Sequence, residues 1–280
     1  MKNHTPDETL IKARKIMLES LCVVHNLCEK YHLTYWLEGG TLLGAIRHRG
    51  FIPWDDDIDI AMPRDDYNKF AEIAKKELPS DLFYQDQETD PNYPNPIARI
   101  RKKGTYFEEK WEPENNKYHH GIFIDIIPID TYNTGIFIDW RNWVYFFRTK
   151  YSRHNYPKGT LKRFLIHIYA HTICSIPFKI SRRIIEYLKK HKEYFNNPKS
   201  KYMSHGLEWQ DLCKTKRKDI YPLTLGKDIF EGHSFYIPNN PHNYLTAYFG
   251  KDYMTLPPIE KRYVHHKIIK FDVKEEDYKV

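Results

Sequence analysis

The sequence is poor in cysteine and glycine and has no long apolar run. Four cysteines in 280 residues, Cys22, Cys28, Cys174 and Cys213, are too few for a disulfide framework and suit a reducing compartment. Cys22, His25 and Cys28 fall three apart on an expected helix. That spacing matches no zinc knuckle, and free cysteine packs well as a small apolar side chain. The opening stretch MKNHTPDETLIKARK has no apolar segment of secretory type. The most apolar later stretch, 164–180, is broken by His167, His171, Pro177 and Lys179, which leaves it too short and too polar to span a bilayer. A cytoplasmic location is the expectation. Internal repeats, low-complexity segments and motifs that read RNA or DNA are also missing, so nucleic acid is not an expected partner.

What is present suits a folded, anion-binding protein. Hydrophobic residues make up 41% and charged residues 29%, enough apolar side chains for a sizeable core. Aromatics reach 15%, with 22 tyrosines whose hydroxyls need polar partners. The net charge of +7 favours acidic partners: nucleotides, phosphorylated polymers or an anionic membrane face.

From Asp7, a plausible N-cap, the residues Leu10, Ala13, Met17, Leu21, Val24, Cys28 and Tyr31 recur at helical steps. A strand is expected over 34–37, ending at Gly39-Gly40, and a short helix over 41–48. Asp56-Asp57-Ile58-Asp59-Ile60-Ala61-Met62 reads as a strand ended by Pro63, with Asp65 able to cap the next helix. Further strands are expected at 97–102 and 121–127, the second apolar on both faces except at Asp125. Residues 134–196 turn helical and basic, and 221–278 mix short strands and loops.

Two features carry chemistry. A strand ending in Gly39-Gly40 and opening a helix at Thr41 leaves unpaired amides aimed at one point, backed by the helix dipole; such a terminus binds phosphate. In Asp57-Ile58-Asp59-Ile60, side chains two apart share a face, so Asp57 and Asp59 stand together while the isoleucines face the core. Paired carboxylates repel unless a cation lies between them, and oxygen-only ligands suit Mg²⁺ or Mn²⁺. A solvated acidic loop is the bland alternative, but alternating Asp-Ile is poor loop sequence. Asp55 shares the parity of Asp57 and Asp59, so the ligand pair is open to a one-step shift. Arg47 and Arg101 are candidates to neutralise a phosphate, or are surface charges.

The string WLEGGTLLGAIRHRGFIPWDDDIDIAMPRDDY resembles the LicD family and its fukutin-type relatives, within the nucleotidyltransferase-fold superfamily. The likeness continues in FIDIIPID at 123–130, in FEG at 230–232 and from YFGKDYM at 248–254 to Pro257-Pro258. It implies an α+β fold: a nucleotidyltransferase-like mixed sheet flanked by helices, with a helical basic insertion. The expected division is a catalytic core over 1–133, the basic aromatic-rich segment over 134–205, and 206–280 completing the core. The resemblance implies Asp57 and Asp59 as metal ligands and Asp125 as the third carboxylate, ligand or base for the acceptor hydroxyl. Gly39, Gly40 and Thr41 would hold phosphate.

The implied activity is transfer of phosphocholine, or a similar phospho-alcohol, from CDP-choline or a related donor to a hydroxyl of a cell-surface glycan. In that reaction CMP leaves. The alternative is transfer of an NMP with release of pyrophosphate. A non-catalytic binding protein is disfavoured because all three carboxylates are present. Finally, basic residues such as Arg148, Lys150 and Arg153 interleave with Trp143, Tyr145, Phe146 and Phe147. That mixture suits either core packing or peripheral contact with anionic lipid at the inner face of the plasma membrane, where a lipid-linked acceptor would lie.

Overall fold

Asp7 starts the first helix. Its Oδ1 accepts the Leu10 amide at 2.7 Å, capping α1 (Glu8–Tyr31). His32, left-handed at φ 53°, ends the helix, its amide reaching back to the last-turn carbonyls of Cys28 and Glu29. The apolar positions Leu10, Ala13, Met17, Leu21, Val24 and Cys28 are all buried. Each large one contributes roughly 1.5–3 kcal/mol by leaving water.

In this computed structural model, residues 6–110, 112, 117–132, 199–206 and 215–274 are described. The chain divides into two units, Met1–Ile129 with Lys218–Val280, and Asp130–Arg217. In the first, α1 leads to β1 (Trp36–Leu37), α2 (Gly39–His48), β2 (Asp59–Pro63) and α3 (Arg64–Glu77). Then come β3 (Leu82–Gln85), β4 (Ala98–Lys102), β5 (Thr105–Glu109) and β6 (Phe123–Tyr132). The strand order is β1-β2-β6-β4-β3. Only the β2–β6 pairing among these is parallel. Ile58, Ile60, Met62, Ile100, Ile124 and Ile126 have no exposed surface, which makes the parallel pair and β4 the heart of the core.

The second strand starts later than the sequence suggests, at Asp59 rather than Asp56. Pro63, not Asp65, occupies the N-cap of α3, because the strand runs into the helix without a loop; Asp65 and Asp66 lie in its first turn, favourably placed for the dipole. The strand 121–127 is observed as β6, reaching Tyr132.

The chain returns to the first unit with hairpin β9 (Thr224–Phe230) and β10 (His233–Ile237). Next is α4 (Pro241–Phe249), capped by Asn240, whose side chain accepts the Asn243 amide at 3.0 Å. Finally β11 (His266–Phe271) pairs antiparallel with β5. The fold is α+β, with a mixed sheet and helices. In the second unit the described residues include the antiparallel pair β7 (Tyr202–His205) and β8 (Thr215–Lys216). Residues 133–198, most of the basic segment, lie outside the described residues. Among the described residues, no helix is long and apolar enough to cross a membrane.

Candidate active site

The turn that opens α2 is held from below. Glu38 is fully buried; its carboxylate accepts Trp36 Nε1 at 2.9 Å and the Tyr244 hydroxyl at 2.6 and 2.5 Å. The Glu38 amide donates to the Asp59 carbonyl at 3.0 Å, carrying the β1–β2 ladder to the helix mouth. Gly39 follows at φ 48°, a left-handed conformation that favours glycine. A Cβ at Gly39 would stand 3.5 Å from Asp59 Oδ2 and 3.7 Å from Tyr248 Oη; one at Gly40 would stand 3.0 Å from Asp55 Oδ2. Two carboxylates therefore lie against the glycine turn. Thr41, almost wholly buried, accepts the Asp59 amide at 2.8 Å, so its hydroxyl ties the helix mouth to β2.

The carboxylates are sorted by parity. Asp55, Asp57 and Asp59 are half-buried, while Asp56, Ile58 and Ile60 between them are buried. Extended alternation thus runs back from β2 through the loop that carries Asp55 and Asp57. The parallel ladder sets Asp59 beside Asp125, whose amide donates to the Ile58 carbonyl at 2.8 Å. Burial, then Asp57, Asp125, Asp55 and Glu38, raise Asp59 well above the ordinary carboxylate range. Burial, then Asp57 and Asp56, do the same to Asp55. Burial pushes Asp125 up to about 6 against the pull of Arg99. This crowding of oxygen donors fits a hard divalent cation such as Mg²⁺ or Mn²⁺ and does not fit the nitrogen and sulfur sets typical of zinc.

Asp56 faces the other way. It has no exposed surface and accepts the amides of His265 (2.9 Å) and His266 (2.6 Å) together with His266 Nδ1 (2.5 Å). Asp55, Asp56 and His265 offer ligand atoms within 4.8 Å of one another, but this set of bonds commits Asp56 to anchoring the last strand. His265 Nδ1 lies 3.4 Å from Asp57 Oδ2, and that contact, ahead of the cost of burial, raises the imidazole to about 9.

Behind Asp125 stands Arg99, its register partner on β4. Its Nε donates to Asp125 Oδ1 at 2.6 Å and its Nη1 to Glu109 Oε2 at 2.8 Å, with Phe123 stacked 3.6 Å from the guanidinium carbon. Asp125 Oδ2 is the looser oxygen, 3.4 Å from Nη2. Arg101, two residues on along the same face, is fully buried and donates to Gln85 Oε1 at 2.7 Å and the Gly121 carbonyl at 2.8 Å. The structure seats Arg101 in the core, and it is Arg99 that reaches the carboxylates. Arg47, half-buried near the end of α2, donates to the Tyr253 carbonyl at 2.7 Å, joining α2 to the 248–254 stretch.

Two further contacts shape the loop that delivers the carboxylates. Arg14 of α1 donates to the carbonyls of Ile52 (2.9 Å), Pro53 (3.1 Å) and Asp55 (3.0 Å from Nε). Glu231 Oε1 accepts the Phe51 amide at 3.0 Å, and Phe230 packs on Phe51 with ring centroids 4.9 Å apart. The structure thus brings Gly39, Gly40, Thr41, Asp57, Asp59 and Asp125 together and adds Asp55. Arg14, Asp56, Arg99, Glu109, Tyr244, Tyr248, His265 and His266 escaped the sequence reading. Only parity hinted at any of them: Arg99 and Arg101 share a strand face, so one arginine could have been traded for the other.

A glycine turn at a helix mouth, with carboxylates of two parallel strands beside it, marks the candidate active site of an α+β protein. The family profile described as "LicD/FKTN/FKRP, nucleotidyltransferase domain" matches residues 32–164. The lipopolysaccharide cholinephosphotransferase LicD of Haemophilus influenzae is 31% identical over 266 residues, covering 92% of this chain and 96% of that protein. The ribitol 5-phosphate transferase FKRP of mouse and of human is 36% identical over 66 residues, 24% of this chain and 13% of FKRP. The chain belongs to the LicD family, and it is an enzyme, a transferase of that type.

Proposed function

We propose that the chain transfers phosphocholine, or a closely related phospho-alcohol, from a CDP-activated donor to a hydroxyl of a cell-surface glycan, on a nucleotidyltransferase-type core. The single observation that supports the chemistry is the glycine turn with Asp59 and Asp55 against it and Asp125 in register beside Asp59. The near-full-length relationship to a cholinephosphotransferase supports the choice of group.

A divalent cation held by Asp57 and Asp59 would neutralise the donor's diphosphate oxygens and the charge that develops on them. The α2 mouth binds the diphosphate through its first-turn amides, and Gly39 and Gly40 leave room for close approach. Arg99 fixes Asp125 through Oδ1, which leaves Oδ2 to take the proton of the acceptor hydroxyl. The hydroxyl oxygen forms a bond to the choline-bearing phosphorus as the bond from that phosphorus to the CMP oxygen breaks. CMP leaves as the anion. The reaction sits in the cytoplasm, where the donor is made available, and the basic 134–205 segment would touch the anionic inner face of the membrane that carries a lipid-linked acceptor.

The test is product analysis. Incubated with CDP-choline, Mg²⁺ and a cell-surface glycan fraction as acceptor, the protein is expected to release CMP and to label the glycan, and with CTP to release no pyrophosphate. Chelation should stop the reaction and Mg²⁺ or Mn²⁺ restore it. Pyrophosphate from CTP with no CMP from CDP-choline would replace this reading with NMP transfer. Co-sedimentation with anionic vesicles, weakening as salt rises, checks the membrane contact.

A further inference from the structure

Tyr248 is unaccounted for by the chemistry above. It lies on α4, four residues after Tyr244, so the two rings share a face of that helix, 6.4 Å apart and inclined by 24°. Tyr244 is locked: its hydroxyl donates to Glu38, the residue before the glycine turn. That lock sets α4 against the mouth of α2. One turn further along, the half-buried Tyr248 is carried over Gly39, where its hydroxyl and Asp59 Oδ2 bound the space that a side chain on Gly39 would fill.

We infer that the Tyr248 hydroxyl is a catalytic residue that donates a hydrogen bond to a phosphate oxygen bound at the α2 mouth, over Gly39. This rests on the proposed reading of that mouth as the phosphate site, and it adds a contact from a part of the chain outside the first motif. The chemistry is specific. The carboxylates bring negative charge, so a neutral O–H donor beside them adds attraction for phosphate without a positive charge that would compete with the cation for the carboxylates. An aromatic hydroxyl on a short helix, backed by a stacked and anchored neighbour, is also pre-positioned, so little side-chain entropy is lost on binding.

The experiment measures binding of inorganic pyrophosphate with Mg²⁺ by titration calorimetry, in the full chain and in Tyr248→Phe. CDP-choline turnover is followed beside it. Phenylalanine keeps the ring and its stack, so the melting temperature should match that of wild type. Pyrophosphate affinity should fall about tenfold to a hundredfold, the usual weight of a hydrogen bond to a charged group. Removing an exposed hydroxyl that does not face the glycine turn, Tyr263→Phe, should change neither value. Equal pyrophosphate affinity in Tyr248→Phe and wild type overturns the inference alone and leaves the proposed activity standing. Absence of pyrophosphate binding to wild type overturns both the inference and the α2 mouth as phosphate site. Loss of affinity for pyrophosphate with normal CMP release in neither protein supports the pocket and counts against the choice of donor.

Discussion

Two regions build this site, and they contribute different things. Residues 38–59 are contiguous and supply the glycine turn and three of the four crowded carboxylates. Residues 231–266 supply no carboxylate to that crowd, but they hold the first region in place. Tyr244 grips Glu38, Tyr253 accepts Arg47, Glu231 accepts Phe51, and His265 with His266 grip Asp56. The partners in these pairs are 180 to 210 residues apart in sequence. Reacting groups can be local because a turn and a strand fix their spacing. The groups that steady them come from wherever the fold brings a donor or acceptor close.

If that division holds, the two regions should fail differently when altered. The largest effect belongs to the first. Asp59→Asn or Asp57→Asn should cut turnover at least about a hundredfold while leaving the fold intact. The melting temperature should stay level or rise, because a crowded like charge is removed. Turnover within threefold of wild type in both variants would sink the assignment.

Asp56→Asn should lie between the regions. It keeps the shape but weakens the bonds to the His265 and His266 amides and imidazole, costing about 1–3 kcal/mol of stability and loosening the neighbouring carboxylates. Unfolding in urea should register the loss, and activity should fall with it. A variant as stable as wild type would show that the last strand is not anchored through this residue.

Tyr244→Phe tests a pure support. Glu38 loses the Tyr244 donor in the core, and about 1–3 kcal/mol should disappear. In a chain of this size that lowers the melting point by roughly 2–10 °C. The smallest effect should come from Glu231→Ala, whose exposed carboxylate caps one amide. A loss of about 0.5–1.5 kcal/mol is expected, with near-normal affinity for the donor. A hundredfold fall in turnover at Glu231 would erase the distinction between the regions.

The same division explains what could be read in advance. The period of Leu10, Ala13, Met17, Leu21, Val24 and Cys28, with Asp7 before it, announced α1 and its cap because both depend on near neighbours. The alternation at 55–60 showed in advance which side chains are half-buried, although the strand itself begins only at Asp59. Arg101 stood out as a candidate and Arg99 did not, because nothing local reveals the pairing of β4 with β6 that sets Arg99 beside Asp125. Asp56 looked like one more member of an acidic run, since nothing local reveals that His265 and His266 will surround it. Tyr244 and Tyr248 lay in a stretch read as strands and loops, and α4 formed there instead behind the Asn240 cap and Pro241. The expected basic helices at 134–196 fall outside the described residues.

The bond between Asp56 and His266 carries a consequence for synthesis on the ribosome. A chain emerging from its N-terminus exposes the aspartates of 55–59 some 209 or 210 residues before the partners that fasten Asp56. At about 5–20 residues per second that interval lasts roughly ten to forty seconds. Throughout it the nascent chain holds Asp56 without the histidine donors that seat it. A stalled or shortened product ending before His265 would carry all four crowded carboxylates yet leave Asp56 without its anchor and Asp57 without its imidazole neighbour.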